Sequence, residues 1–295
     1  MSRRNMLSTD QIDFYNEHGY LAVSDVLSRS EVSELQRVTD EVMEGARFLT
    51  ESDERFGLEP GHTADDVRVQ RIKRPSLHHD LYMSMLHHDA ILDMVAQLIG
   101  PSIRFTGEKL NMKSAGFGSV VEWHQDWGFM PHTNDDLLAV GIAIDDTTTE
   151  NGALLVIPGS HRQPIYDHHE DGYFVGAVGR DHFDMGDAVP VEVPAGGISI
   201  HHIRMLHGSP PNTSDRSRRV LFLELAAADA WPLFGLGDWD TWSTWDEYNA
   251  CLLRGDPVVE PRMADVPVRL PHPSRPWPGS IFALQENLSA SAFAE

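Results

Sequence analysis

From Ile103 onward the chain is cut into short apolar runs, and this constrains its fold more than any other feature of the sequence. IRFTG, KLNMK, LLAVGIAI, ALLVIP, VPVEVP, GISI and RRVLFLEL are rich in β-branched residues, and turn residues (NG, PGS, PAGG, SPPN) separate them. Many short strands at this spacing predict a β-sandwich or barrel. Before Ile103 the apolar spacing is helical. Ser8 and Gln11 form a capping box ahead of IDFYNEHG, and Gly19 is a natural stop. YLAV (20–23) reads as a short strand. From Ser30 to about Leu49, the residues Val32, Leu35, Val38 and Val42 recur with helical period, and a third helix is predicted through DLYMSMLHHDAILDMVAQLIG to Gly100. The expectation is one α+β domain over 1–295: a helical part to about 100, a sheet core over about 101–230, and a Trp-rich and Pro-rich extension from about 231.

A hydrophobic fraction of 41% in 295 residues is enough for a sizeable core. No run approaches the 18 or more apolar residues of a membrane span, and MSRRNMLSTDQ has no apolar stretch of the secretory kind. Cys251 is the only cysteine, so an intrachain disulfide and a cysteine-based zinc site are excluded and a cytoplasmic location is expected. The net charge of −22 argues against nucleic acid and anionic membranes as partners. It also disfavours a polyanionic substrate and permits an amine or zwitterion.

Polar residues interrupt one of the apolar stretches in an unusual way, in EWHQDWGFMPH (122–132). Five His-x-Asp pairs occur: His78/Asp80, His87/Asp89, His124/Asp126, His169/Asp171 and His182/Asp184. Residues at i and i+2 share a face on a strand but not on a helix. The first two pairs fall at or inside the third helix, and the last two lie in a polar, glycine-punctuated stretch. His124/Asp126 alone follows a strand-like run (Val120, Val121) and is bracketed by Trp123 and Trp127. A further ligand is available from His201, His202 or His207 in HHIRMLHGSPPNTSDRSRRVLFLEL. Two histidines and one carboxylate form the facial triad of non-haem Fe(II) oxygenases, with coordination positions left open. A bidentate oxoacid with a second carboxylate needs a cationic anchor, and Arg218, eleven residues after His207, can supply one.

These segments resemble the phytanoyl-CoA dioxygenase family of Fe(II)/2-oxoglutarate-dependent oxygenases. The resemblance runs from the first helix and GYLAV through LNMKSAGFGSVVEWHQDWGF, AIDDTTTENGALLVIPGSHR and HGSPPNTSDRSRRVL. It implies a double-stranded β-helix, a jelly-roll (cupin-like) core flanked by N-terminal helices. It also implies that His124, Asp126 and His207 bind iron and that Arg218, with Arg219 as fallback, holds the distal carboxylate of 2-oxoglutarate. Ser209, Lys113 and Asn111 match cofactor-pocket positions, and Trp127, Phe129, Met130 and Ser160 are expected around the substrate. Relatives often carry a tryptophan where this chain has Gly141, which suggests extra room there. Related halogenases lack the carboxylate retained here as Asp126, so the resemblance favours hydroxylation of an unactivated C–H bond, or desaturation or ring formation, with O₂ as cosubstrate.

The implied protein is a dioxygenase acting on a small molecule, as a monomer or homodimer. Two other readings use the same residues. One is a catalytically silent jelly roll that binds a sugar or a partner. The other is a zinc hydrolase, for which the sequence offers no HExxH base. Trp231, Trp239, Trp242 and Trp245 read as packing against the helical side, with a lid or a dimer contact as the alternative.

Overall fold

The computed structural model describes residues 6–234, 244–273, 279–286 and 288–293. In the helical part, α1 spans Thr9–His18, α2 Arg29–Glu44, α3 Asp80–Leu86 and α4 Asp89–Ile99. Ser8 and Gln11 close the capping box on α1, and Gly19 ends the helix in the left-handed conformation (φ 80°). A second box, Ser28 with Glu31, starts α2. The predicted third helix is in fact two. His88 takes an extended backbone (ψ 112°) between α3 and α4, and its Nε2 lies 3.3 Å from the Glu31 carboxylate on α2.

The strands are β1 (Tyr20–Val23), β2 (Phe56–Leu58), β3 (Val69–Lys73), β4 (Ile103–Lys113), β5 (Val121–His124), β6 (Leu137–Ala143), β7 (Leu154–Val156), β8 (His169–Glu170), β9 (Tyr173–Phe174), β10 (Val189–Val191), β11 (Ile198–His202), β12 (His207–Ser209), β13 (Arg218–Ala227) and, after α5 (Trp245–Ala250), β14 (Leu252–Arg254). A last short helix, α6, spans Ile281–Gln285. The large sheet runs β1-β11-β6-β13-β4-β3-β2, with β14 also on β4; the small sheet runs β10-β7-β12-β5; β8 and β9 form a hairpin. Pairing is antiparallel throughout these sheets. This is the jelly-roll arrangement that the family resemblance implied, within the sandwich or barrel class that the strand spacing predicted, and IRFTG and KLNMK fuse into the single strand β4.

Period-two alternation sorts the large sheet into two faces. Leu221, Leu223 and Leu225 of β13, Leu138, Val140 and Ile142 of β6, and Ile198 and Ile200 of β11 share one core with Leu35, Val38 and Val42 of α2 and Ile91 and Val95 of α4. The intervening residues, among them Arg218, Phe222, Ala139, Ser199 and His201, face the interior between the sheets, where the cavities lie. The tail returns to the fold: Arg104 on β4 lies 3.7 Å from the Tyr248 ring, and the Trp231 and Trp245 rings are 5.7 Å apart. Trp239 and Trp242 lie outside the described residues. No described helix is long and apolar enough to cross a membrane.

Candidate metal centre

The small sheet builds the centre. In the antiparallel register of β5 and β12, His124 lies directly opposite His207, and the two imidazole centroids are 4.1 Å apart. Asp126 follows His124 by two residues at the start of a 3-10 turn (126–128). All three side chains are buried, and one donor atom from each lies within 4.8 Å of the other two. Asp126 is 3.5 Å from His124 Nε2 and 3.8 Å from His207 Nε2.

Backbone contacts set the chemistry of this donor set. His124 Nδ1 donates to the Glu122 carbonyl (2.7 Å) and His207 Nδ1 to the Met205 carbonyl (2.9 Å). Each bond fixes the tautomer and leaves a lone pair on Nε2 facing Asp126, which is how metal-ligating histidines are commonly oriented. Burial holds the His207 imidazolium well below the usual histidine range, with repulsion from His124 adding to it. Burial opposes ionisation of Asp126, but Lys109, His207, His124 and His201 more than offset it and keep the carboxyl well below the usual carboxylate range. Two imidazoles, each with Nε2 free of the backbone, and one carboxylate converge on one point and fit a divalent iron.

The residue between the ligands anchors the turn. The Gln125 N–H donates to His168 Nε2 (2.9 Å), its side-chain amide donates to the Arg204 carbonyl (2.9 Å), and its side-chain oxygen accepts from the Tyr166 N–H (2.9 Å). His168 donates through Nδ1 to the Tyr166 carbonyl, and burial pushes its pKa down to about 3, so it stays neutral. Gln125 thus points away from the centre while His124 and Asp126 point in.

Beside the triad, a first cavity of about 50 Å³ is lined by Asn111, Lys113, Ser209 and Arg218, along with His124, Asp126, His201, His207 and Phe222. Arg218 and Lys113 are register partners on β13 and β4. Both are buried, and among the described residues neither has a carboxylate within ion-pair distance. Arg218 donates to the Gly152 carbonyl and leaves Nε without a partner. Burial pulls its pKa down to about 10, against the attraction of Asp145. Lys113 donates to the Ser119 carbonyl, and burial and Arg218 push its pKa well below the lysine range. Two buried cations without a counterion are costly, and an acid in the cavity would relieve both. Arg219 points to the opposite face, where Asp145 and Asp40 take its guanidinium.

A second cavity of about 130 Å³ is lined by Arg71, Lys109, Asp126, Phe129, Met130, Glu224 and Ile281. It shares Lys109, Asp126 and Ile281 with the first. Phe129 and Met130 therefore sit beside the triad. Trp127 does not: it is fully buried in a separate cluster with Leu137 and Ile203, and its indole donates to the Pro267 carbonyl (2.7 Å). Ser160 does not reach the cavities either. Its hydroxyl accepts from the Leu206 N–H (2.9 Å) and contacts Met205, so it braces the segment before His207. Gly141 lines only a small separate cavity of about 20 Å³, and a Cβ there would lie 2.6 Å from Ser199 Oγ and 2.9 Å from the Phe222 ring. Phe222 fills the space.

Reading the sequence alone misses Lys109 and Arg71, and it offers His201 only as a candidate ligand. His201 Nε2 donates to Asp126 Oδ2 across 3.3 Å and steadies the carboxylate. Lys109 has the same strand parity as Asn111 and Lys113, so the alternation of KLNMK already held its signal.

Comparison with known proteins agrees with this geometry. The profile of the phytanoyl-CoA dioxygenase (PhyH) family matches residues 15–220. The chain is 35% identical to a probable alpha-ketoglutarate-dependent hypophosphite dioxygenase of Stutzerimonas stutzeri, over 93% of this chain and 96% of that protein. It is 27% identical to a methylphosphonate hydroxylase of Gimesia maris, over 74% of this chain and 80% of that protein. Among solved structures, it is similar to the non-haem alpha-ketoglutarate-dependent carbocyclase SnoK from nogalamycin biosynthesis. That match has a TM-score of 0.62 and 26% identity, and covers 85% of this chain and 93% of the other.

Proposed function

The chain belongs to the phytanoyl-CoA dioxygenase family, and on that premise we propose that His124, Asp126 and His207 hold the Fe(II) and that Arg218 anchors 2-oxoglutarate. The protein is an Fe(II)- and 2-oxoglutarate-dependent dioxygenase. When bound, iron and 2-oxoglutarate together supply the oxidation: O₂ is consumed, 2-oxoglutarate leaves as succinate and CO₂, and one oxygen atom enters the substrate. The observation that carries the residue assignment is the convergence of three donor atoms within 4.8 Å, with both imidazoles tied through Nδ1 to backbone carbonyls.

The remaining roles belong to the chain's own side chains. Arg218, with Ser209 and Lys113 beside it, receives the distal carboxylate of 2-oxoglutarate, and Asn111 lines the same cavity. His201 keeps Asp126 in place, and the His168–Gln125 bonds keep the turn from opening. Phe129, Met130 and Ile281 wall the reacting space against water. The reaction we propose is hydroxylation of a small molecule by a cytoplasmic monomer or homodimer. Two relatives are named for small phosphorus oxyanions, and we take such an oxyanion as the substrate class.

The test is an anaerobic titration of the metal-free protein with Fe(II) and 2-oxoglutarate, following the weak visible charge-transfer band of the chelate. The band is expected to saturate in the wild type and to vanish in His207→Ala. A band of undiminished strength in His207→Ala removes that residue from the ligand set. No band in the wild type removes the assignment altogether.

A further inference from the structure

Arg71 is a half-buried cation beside the triad that the proposed chemistry does not use. It stands on β3 opposite Asn111 of β4, on the interior face of the large sheet. Among the described residues, no hydrogen bond or ion pair engages its guanidinium, and its Nε is buried without a partner. Its surroundings are deep enough for burial to lower its pKa, against the opposing pull of Glu224 and Asp126. Its outlet is the second cavity, which it lines with Lys109, Glu224, Phe129, Met130 and Ile281.

The charges around that cavity are unequal. Lys109 Nζ is 2.6 Å from Glu224 Oε1, so this pair is mutually neutralised. Asp126 belongs to the triad. Arg71 is left, among the described residues, without a carboxylate at ion-pair distance, in a lining completed by Phe129, Met130 and Ile281. The buried Nε of Arg71 has no partner, which is costly unless a ligand completes it, and the planar fork of a guanidinium matches two oxygens of one acid group. With Glu224 paired, Asp126 is the carboxylate on the same lining that disfavours a second negative charge on the ligand. At about 130 Å³ the cavity is far below the 300–1,000 Å³ of drug-sized pockets. A thioester with a large carrier does not fit it, and an acid of a few heavy atoms does.

We propose that Arg71, set by the neutralised Lys109–Glu224 pair beside it, is the substrate-recognising residue of this enzyme, and that it binds a small monoanionic oxyanion by two oxygens. The cavity reaches the triad at Asp126, so the part of the substrate held away from the guanidinium is the part that faces the oxidising centre. Phe129, Met130 and Ile281 suit that non-ionic end. The cofactor acid and the substrate acid are then sorted by place: Arg218 and Lys113 take one on the first cavity's wall, and Arg71 takes the other. This proposal rests on the iron-site reading only for the orientation of the substrate, because binding of the anion needs no metal.

The experiment is isothermal titration calorimetry of the full chain with hypophosphite, acetate, sulfate and neutral acetamide. Each is run on the metal-free protein and on the anaerobic Fe(II)–2-oxoglutarate protein, whose chelate band is recorded in the same samples. The wild type should bind hypophosphite or acetate, bind sulfate more weakly and not bind acetamide. Arg71→Met should weaken the monoanions about 10- to 150-fold, the loss of one charge-assisted hydrogen-bonding partner, while the chelate band keeps its 2-oxoglutarate dependence. Arg71→Lys keeps the charge without the fork, so it should fall between wild type and Arg71→Met; it decides the matter if Arg71→Met does not fold. Monoanion binding that is absent in the wild type, or unchanged in both variants, overturns the proposal even if the chelate band is intact. Arg71-dependent binding without any chelate band supports the anion site and overturns the iron reading instead.

Discussion

At the scale of single residues, adjacent arginines on one strand have opposite fates. Arg218 points into the cavity with no carboxylate to meet it, whereas Arg219 is held between Asp145 and Asp40 on the helical side. Arg218→Ala should therefore raise the concentration of 2-oxoglutarate needed for half-saturation by 10-fold or more, with little loss of fold. Arg219→Ala should leave that concentration unchanged and lower stability by about 1–3 kcal/mol, because Asp145 loses its partner. Chelate titration and thermal melting of the two variants separate these outcomes, and a swapped pattern would reverse the assignment. The arginine pair itself was visible in the sequence, but which of the two faces inward depends on strand phase, which only the β13 register supplies. The same limit explains the errors over Trp127 and Ser160. Trp127 adjoins the metal motif in sequence yet turns into a separate apolar cluster, and Ser160, in a different segment, turns toward the Leu206 N–H. Proximity along the chain carries no information on direction. Conversely, the His124/Asp126 pair was legible because a strand end is the place where i and i+2 converge.

At the scale of elements, the turn after β5 holds the ligands through bonds that no ligand makes. Gln125 is fixed by His168, Tyr166 and Arg204. His168→Ala should lower Fe(II) affinity about 10- to 100-fold, the usual cost of removing a residue that orients a metal ligand from behind. Anaerobic competition against a coloured chelator measures this. Affinity equal to wild type would mean that the turn is rigid without the histidine. Strand existence was well signalled by the spacing of apolar runs, since turn residues interrupt it so regularly. Element boundaries were not. KLNMK joins IRFTG because β13 runs alongside both as one long partner, with the register shifting between Glu224 and Leu225 opposite Gly107 and Phe105. A Cβ on Gly107 would lie 2.6 Å from Glu224 Oε2. Gly107→Ala should thus displace Glu224, loosen the Lys109 pair and cost about 1–3 kcal/mol. An unchanged melting temperature would show that the carboxylate simply swings aside. The helix break at His88 was equally hidden, because the apolar period continues on both sides of it.

At the scale of the whole molecule, the net charge of −22 and the charge of the interior point in opposite directions. Composition permits an amine or zwitterion and disfavours a polyanion. The cavities instead present Arg71, Lys113 and Arg218 beside Asp126 and the neutralised Lys109–Glu224 pair, because a total counts the solvated surface, while recognition depends on the few groups that line the site. The interior also holds imidazoles that must remain neutral. Burial pushes His132 down to about 4 and both His168 and His202 to about 3. Each folded-state value lies below the unfolded value near 6.5, so between the two the unfolded chain binds the extra protons. Stability contributed by these groups is fully present above about pH 6.5. It is lost as pH falls toward 4 and then 3. Metal-free protein, melted at fixed ionic strength from pH 7.5 to 4.5, should therefore hold its midpoint down to about pH 6.5 and lose it increasingly below. Protonation of surface carboxylates relieves self-repulsion in an acidic protein and acts the other way. A midpoint that rises on acidification would mean that relief at the surface outweighs the cost of charging the core. His168→Phe tests the attribution. The substitution removes one of the three titrating groups, so the fall below pH 6.5 should become shallower even if the variant starts from a lower midpoint.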